Sequence, residues 1–106
     1  MDYNKFTEEL SRYPKTQNDP KIIEAMYCGL GLAGEAGEAV DKIKKWHRDG
    51  KIEPTQVVLE LGDALFYLTR IANVLGYTLD DIIDLNVTKL IDRRNRNVLH
   101  GSGDNR

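Results

Sequence analysis

With 106 residues and a formal net charge of −2, the chain is long enough for one domain around a single core and has no global field that would draw nucleic acid or an anionic membrane. No apolar run approaches the roughly 20 residues of a bilayer span, and the opening Met1-Asp2-Tyr3-Asn4-Lys5 lacks a signal-peptide pattern. Cys28 stands alone, which excludes an intrachain disulfide and makes a reducing cytoplasm the expected setting.

Strand signals are weak throughout, and the predicted class is all-α, a compact bundle of about four helices in one domain over residues 1–106. The first helix runs from Tyr3 to Arg12 and is stopped by Pro14, so that residues 1–18 form an N-terminal helix and link. Asp19-Pro20 supplies a cap and a favoured first helical position for the second helix. That helix reaches about Arg48, with Gly29–Gly31 as a candidate break and Asp49-Gly50 as its stop. Pro54-Thr55 opens a third helix that closes at Gly76. Thr78 with Asp81 has the pattern of a capping box for the fourth, which fades near Asn95. Residues 97–106 read as a flexible polar tail.

Each of the last three helices carries two stripes. On the second, Leu32, Ala36, Val40 and Ile43 read as the core face, beside Glu35, Glu38, Lys42 and Lys45 in a three-then-four rhythm. On the third, Val57, Leu61, Ala64 or Leu65, Leu68 and Ala72 read as core, beside Glu60, Asp63, Tyr67 and Arg70. On the fourth, Ile83, Val87, Leu90 and Ile91 are expected to pack inward, with Asn86, Lys89 and Arg93 on a neighbouring face.

The two carboxylate pairs, Glu35-Ala36-Gly37-Glu38 and Glu60-Leu61-Gly62-Asp63, share one spacing. A step of three along a helix keeps both acids on one face. Two such helices side by side would gather four carboxylates, which repel and call for a counter-charge once partly desolvated. The plainer alternative is a solvated surface, with Lys42 and Lys45 pairing with Glu38 and Asp41. No histidine follows either pair at Glu-x-x-His spacing, and no Cys/His cluster suggests zinc. All-oxygen ligation favours Mg²⁺, with Mn²⁺ as a substitute. Gly34, Gly37 and Gly62 flank the acids, and each costs about 1 kcal/mol against alanine inside a helix. Either close helix packing or room for a ligand would account for them.

The run from Leu32 to Ala39 (Leu-Ala-Gly-Glu-Ala-Gly-Glu-Ala), followed after a basic stretch by Leu59 to Phe66 (Leu-Glu-Leu-Gly-Asp-Ala-Leu-Phe), resembles the Glu-x-x-Glu … Glu-x-x-Asp pattern of the MazG-like nucleoside triphosphate pyrophosphohydrolases. Asn86-Val87-Thr88-Lys89, with Arg93, is similar to that family's downstream Asn-x-x-Lys substrate element. The similarity spans about Gly29 to Arg96. It implies an all-α fold, Mg²⁺ dependence, and hydrolysis of a nucleoside triphosphate to monophosphate and pyrophosphate. Glu35, Glu38, Glu60 and Asp63 would then hold the metal, and one carboxylate, Glu38 by preference, would take the attacking water's proton. Lys89 and Arg93 would neutralise phosphate charge, and Asn86 would hydrogen-bond phosphate or sugar.

Lys42 and Lys45 are further phosphate candidates or else a solvated face. Trp46 either stacks on a base or closes the core, while Phe66 and Tyr67 read as core. Short helices with this much apolar surface rarely enclose a nucleotide alone, so a homodimer or homotetramer with pockets near subunit contacts is expected. Two rival functions are a phosphoribosyl-ATP pyrophosphohydrolase and a non-catalytic helical module that senses a nucleotide or binds a partner.

Overall fold

The computed structural model describes residues 1–14, 16, 18–97 and 103. These residues form four α-helices and no strand: α1 (Tyr3–Leu10), α2 (Lys21–Asp49), α3 (Pro54–Val74) and α4 (Leu79–Asn95). α2 and α3 make a long hairpin with the most extensive packing in the molecule, and α1 and α4 each pack on α3. The expected polar tail falls, apart from Asn97 and Gly103, outside the described residues. Among the described helices none is long and apolar enough to cross a membrane.

Local chemistry explains the helix ends. Asp2 caps α1, its Oδ1 accepting from the backbone N–H of Asn4 at 3.0 Å and of Lys5 at 3.4 Å. α1 stops at Leu10, two residues short of the expected Arg12, because Ser11 is already extended (φ −61°, ψ 135°). The chain is then heading into Tyr13-Pro14, where the residue before proline disfavours the helical region. Asp19 does not cap α2. Pro20 occupies the cap position without a side-chain bond, and the Asp19 carboxylate accepts instead from Tyr13 Oη at 2.6 Å and Thr16 N at 3.1 Å.

α2 continues through Gly29–Gly31 without the candidate break. It ends at Gly50, whose left-handed φ of 77° lets its N–H reach Trp46 O at 2.7 Å. Pro54 sits at the first turn of α3. That helix ends at Val74, just before Gly76 turns the chain with φ 87°. The capping box of α4 is complete. Asp81 N donates to Thr78 Oγ1 at 3.1 Å, and Thr78 N donates to Asp81 Oδ2 at 2.8 Å.

The core follows the apolar stripes only in part: Val57 and Ala72 are buried as expected, and Leu32, Ala64 and Leu68 are half-buried. Among the described residues the buried positions are Thr7 on α1, Cys28 and Ala39 on α2, Val57, Thr69, Arg70, Ala72 and Val74 on α3, and Arg93 on α4. Val40, Leu61 and Ile83, expected inside, are 64%, 53% and 50% exposed. Ala36, Ile43, Leu65, Val87, Leu90 and Ile91 are exposed as well. On α2 the face toward α3 is rotated onto Cys28, Glu35, Ala39 and Lys42, the stripe that carries the acids. Gly31 meets Tyr67 and Lys42 meets Glu60 along this stripe, while Leu32 of the apolar stripe borders a cavity with Leu68 and Ala72 of α3. The Cα radius of gyration is 16.8 Å, against about 13 Å for a compact domain of this length.

A polar tie holds α1 to α3. Arg70 Nη1 donates to Thr7 Oγ1 at 3.2 Å and to Asn73 Oδ1 at 2.8 Å. Asn73 Nδ2 donates to Asn4 Oδ1 at 3.0 Å, and the same oxygen accepts from Leu79 N at 2.9 Å, which brings in the start of α4.

Gly31 makes the closest approach of the hairpin. A Cβ there would lie 2.6 Å from the Tyr67 ring, whereas one at Gly29 would meet nothing within 4 Å. Gly31→Ala therefore loses about 1–3 kcal/mol in urea unfolding, the range for overpacking. Gly29→Ala gains up to about 1 kcal/mol from helix propensity.

Candidate functional site

Glu35, Glu38 and Lys42 follow one another along a face of α2 at steps of three and four, and α3 sets Glu60 opposite them. Glu35, Glu38 and Glu60 each bring a carboxylate oxygen to a common point, all within 4.8 Å of one another. Glu35 and Glu60 are half-buried and Glu38 is exposed. Oε2 of Glu35 and Oε2 of Glu60 are both inaccessible to solvent and without a hydrogen-bond partner. Asp63, one turn beyond Glu60, stands outside the triad but borders the same cavity as Glu35.

Crowding of like charges shifts the titration of these groups. Desolvation, then the neighbouring Glu60, Glu38 and Asp63, push Glu35 up from its ordinary 4.5 to about 7. Glu60 raises Glu38 too, by sharing a hydrogen bond and by its charge. Glu60 itself is lowered, first by Lys42, whose Nζ lies 3.2 Å from Glu60 Oε1. Lys42 thus pairs across the hairpin with Glu60 rather than along its own helix with Glu38. Lys45 pairs with Asp41 at 3.0 Å.

This donor set fits a hard divalent cation. Hard divalent cations take oxygen ligands at about 2.1 Å for Mg²⁺ and about 2.3–2.6 Å for Ca²⁺, so three oxygens within 4.8 Å of one another can share one larger ion as they stand and must draw in by a few tenths of an ångström for Mg²⁺. Among the described residues, Oε2 of Glu35 and Oε2 of Glu60 lack a hydrogen-bond partner, and Lys42 reaches Glu60 only through Oε1. The flanking glycines leave room. A Cβ at Gly34, Gly37 or Gly62 would meet nothing within 4 Å, so tight packing within this chain does not explain them.

One cavity has Glu35 and Asp63 in its lining, and a second, farther along the hairpin, touches the site through Lys42. The second, of about 430 Å³, lies where α2 turns into α3 and is lined by Lys42, Lys45, Trp46 and Lys51 among others. Trp46 is 47% exposed and forms a wall of this cavity instead of closing the core. The first, of about 350 Å³, has Glu35 and Asp63 together with Tyr13, Tyr27, Tyr67 and Arg70. Phe66 also borders it; both Phe66 and Tyr67 are half-buried, and the Tyr67 ring packs against Gly31 of α2. Asn86, Lys89 and Arg93 stand on α4, which meets α3 around Leu68, Ile71, Ala72 and Leu75. Both cavities are lined from α1, α2, α3 and their links, without these three residues. Arg93 is buried, and its Nη2 donates to Gly103 O at 3.5 Å.

Sequence reasoning set Arg70 on the acid stripe and gave it no role, and it overlooked Tyr13 and Tyr27. Arg70 was traceable by its spacing, seven residues after Asp63. Tyr13 lies in a link whose path no periodicity defines.

The shared proton gives the site a pH signature. Glu35 is mainly protonated below about pH 7 in the metal-free protein, and a divalent cation must displace that proton. For a divalent cation bound here, such as Mg²⁺, the expected result in calorimetry is an affinity that rises from pH 5 to about 7 and then levels, with proton release visible as buffer-dependent heat. Because the folded value lies above the ordinary one, Glu35 favours folding most at acid pH, and that contribution is lost as pH rises through about 7. Mg²⁺ at pH 8 raises the melting temperature by replacing it.

The MazG nucleotide pyrophosphohydrolase domain family matches residues 27–98. The chain is also similar to the Gene 37 protein of Mycobacterium phage L5, 39% identical over 99 residues that cover 89% of this chain and 87% of the phage protein. No solved structure matches. With its four helices and no strand among the described residues, and with the match running from α2 through α4, the chain belongs to the MazG nucleotide pyrophosphohydrolase family.

Proposed function

We propose that this chain is a Mg²⁺-dependent enzyme that hydrolyses a nucleoside triphosphate between the α and β phosphates. The products are a nucleoside monophosphate and pyrophosphate, and the role is clearing or regulating a cytoplasmic nucleotide pool. The observation that carries the reading is the convergence of Glu35, Glu38 and Glu60, with a tyrosine-lined cavity at Glu35 and a second cavity reached through Lys42, where Lys45 and Lys51 stand with Asp49 and Glu53. Repelling carboxylates meet a triphosphate productively only through a cation, and a lysine-lined pocket next to them suits the phosphate tail.

Glu35, Glu38 and Glu60 would hold the ion, with Asp63 completing the set on the second-cavity side. Mg²⁺, when bound, supplies charge neutralisation and polarisation of the α-phosphoryl group. Glu38 is the exposed member of the triad, and we assign it to take the proton of the attacking water at a carboxylate oxygen. Lys42 keeps Glu60 ionised and oriented. Lys42 and Lys45, with Trp46 as a wall, would receive the phosphates that leave as pyrophosphate. Asn86, Lys89 and Arg93 remain our candidates for further phosphate or sugar contacts from α4.

The exposed apolar faces support a second copy of the chain as part of the enzyme. Leu30 is 75% exposed, Val40 64%, Leu75 62% and Leu85 60%. Faces of that kind on three helices are what an obligate homo-oligomer buries. Light scattering after size exclusion would then give a dimer or tetramer, and a monomer at micromolar concentration would refute this.

The activity is tested by incubating the protein with a triphosphate panel and Mg²⁺ and identifying products by chromatography. Pyrophosphate and monophosphate are expected, and orthophosphate release would contradict α–β cleavage. Glu38→Gln lowers kcat by about 10²–10⁴-fold, the usual contribution of a general base, while helicity by circular dichroism is unchanged.

A further inference from the structure

Arg70 is 6% exposed, yet among the described residues only Nη1 of its three nitrogens is hydrogen-bonded. Nη1 makes both of its bonds, to Thr7 and Asn73. Nε is buried with no hydrogen-bond partner, and no carboxylate pairs with the guanidinium among the described residues. A purely structural arginine would be satisfied along both edges, since buried donors are almost always paired. Here the Nε–Nη2 edge, two parallel N–H groups in a fixed plane, is left over.

That edge belongs to a residue that borders both the 350 Å³ cavity holding Glu35 and Asp63 and a more polar cavity lined by Glu8, Lys21 and Glu24 among others; the first has the aromatic walls. Asp63, Tyr67 and Arg70 follow at steps of four and three, so they share a face of α3. Seven residues of helix set Arg70 about 10 Å along from Asp63. The cavity between them is walled by the rings of Tyr13, Tyr27, Phe66 and Tyr67. A nucleotide whose phosphates are gripped at the acids would extend its sugar and base along this line. Aromatic walls suit the faces of a base, and a donor pair at the far end suits its edge.

Resting on the function proposed above, we propose that Arg70 reads the nucleobase through its Nε–Nη2 edge and selects bases that present two adjacent hydrogen-bond acceptors. Guanine does so through O6 and N7, the pairing arginine makes in DNA recognition, and cytosine does so through O2 and N3. Adenine places a donor beside each ring acceptor on its exocyclic-amine edge, and thymine and uracil separate their two carbonyls by an N–H. Those bases would leave one arginine donor unpaired in a buried place, and sites built on hydrogen bonds discriminate strongly against that. Arg70 would therefore be a specificity-determining residue whose Nη1 edge fastens α1 to α3 while its other edge contacts the substrate.

The test measures kcat/KM for dGTP, dCTP, dATP and dTTP with Mg²⁺, together with calorimetric binding of the four deoxynucleoside monophosphates. We expect dGTP or dCTP to exceed dATP and dTTP by about tenfold or more. The matching deaza analogue, 7-deaza-dGTP or 3-deaza-dCTP, should lose that advantage on the wild-type enzyme. This arm decides the matter even where an Arg70 variant fails to fold, and it tells guanine from cytosine. Arg70→Gln, if folded by circular dichroism, should raise KM for the preferred substrate and leave that for the others nearly unchanged. Equal rates on all four substrates, preference for dATP or dTTP, an indifferent deaza analogue, or selectivity that survives in Arg70→Gln would each overturn the proposal. Absence of turnover with every triphosphate would instead overturn the proposed activity, and base preference would still be read from monophosphate binding.

Discussion

Three carboxylates held within 4.8 Å of one another between two helices are a state that a folded chain reaches only under compensation. Mutual repulsion and partial loss of solvent both oppose it. In the chain itself the compensation is of two kinds. Lys42 reaches across the hairpin to neutralise Glu60, and Glu35 retains a proton far above the ordinary carboxylate range. Neither satisfies the inward oxygens of Glu35 and Glu60. The hairpin is thus set up to exchange a proton for a divalent cation, and its glycines leave the space around the acids unfilled.

The same arrangement determines where the apolar residues go. Because α2 gives its acid-bearing face to α3, its flanking stripe of Val40 and Ile43 points outward. α3 and α4 do likewise with Leu61, Leu65, Ile83 and Val87. A chain of this length with so few fully buried apolar side chains has little core of its own. In the homo-oligomer proposed above, another copy presenting the same faces would cover them. The position of the acids and the exposure of those faces both follow from one rotation of α2 about its axis.

The polar tie between α1 and α3 adds a second constraint. Asn4, Thr7, Arg70 and Asn73 form a small connected network, and Asn4 also receives the first backbone N–H of α4. Anchoring α1 there brings the link that follows it, with Tyr13, over the cavity beside Glu35 and Asp63. The short N-terminal helix is therefore part of the cavity's wall rather than an appendage.

The sequence by itself determined the four helices, most of their ends and the family. Those features are local: a three-residue acid spacing, a Thr78–Asp81 capping box, glycines past the ends of α2 and α3. Where a local signal had two outcomes, the sequence could not choose. Asp19 looked like a cap but satisfies Tyr13 and Thr16 in a turn, and Gly29–Gly31 looked like a break but seats Tyr67 against an intact helix. Periodicity likewise sorts residues onto faces without saying what each face meets, so Val40 and Leu61 read as core and stand in the open. Only the tertiary structure decided that the acid stripe of α2 turns toward α3, that Lys42 bridges to Glu60, and that Arg70 is buried with one edge free. Each depends on how two helices are rotated about their own axes, a quantity set by the packing of the whole chain.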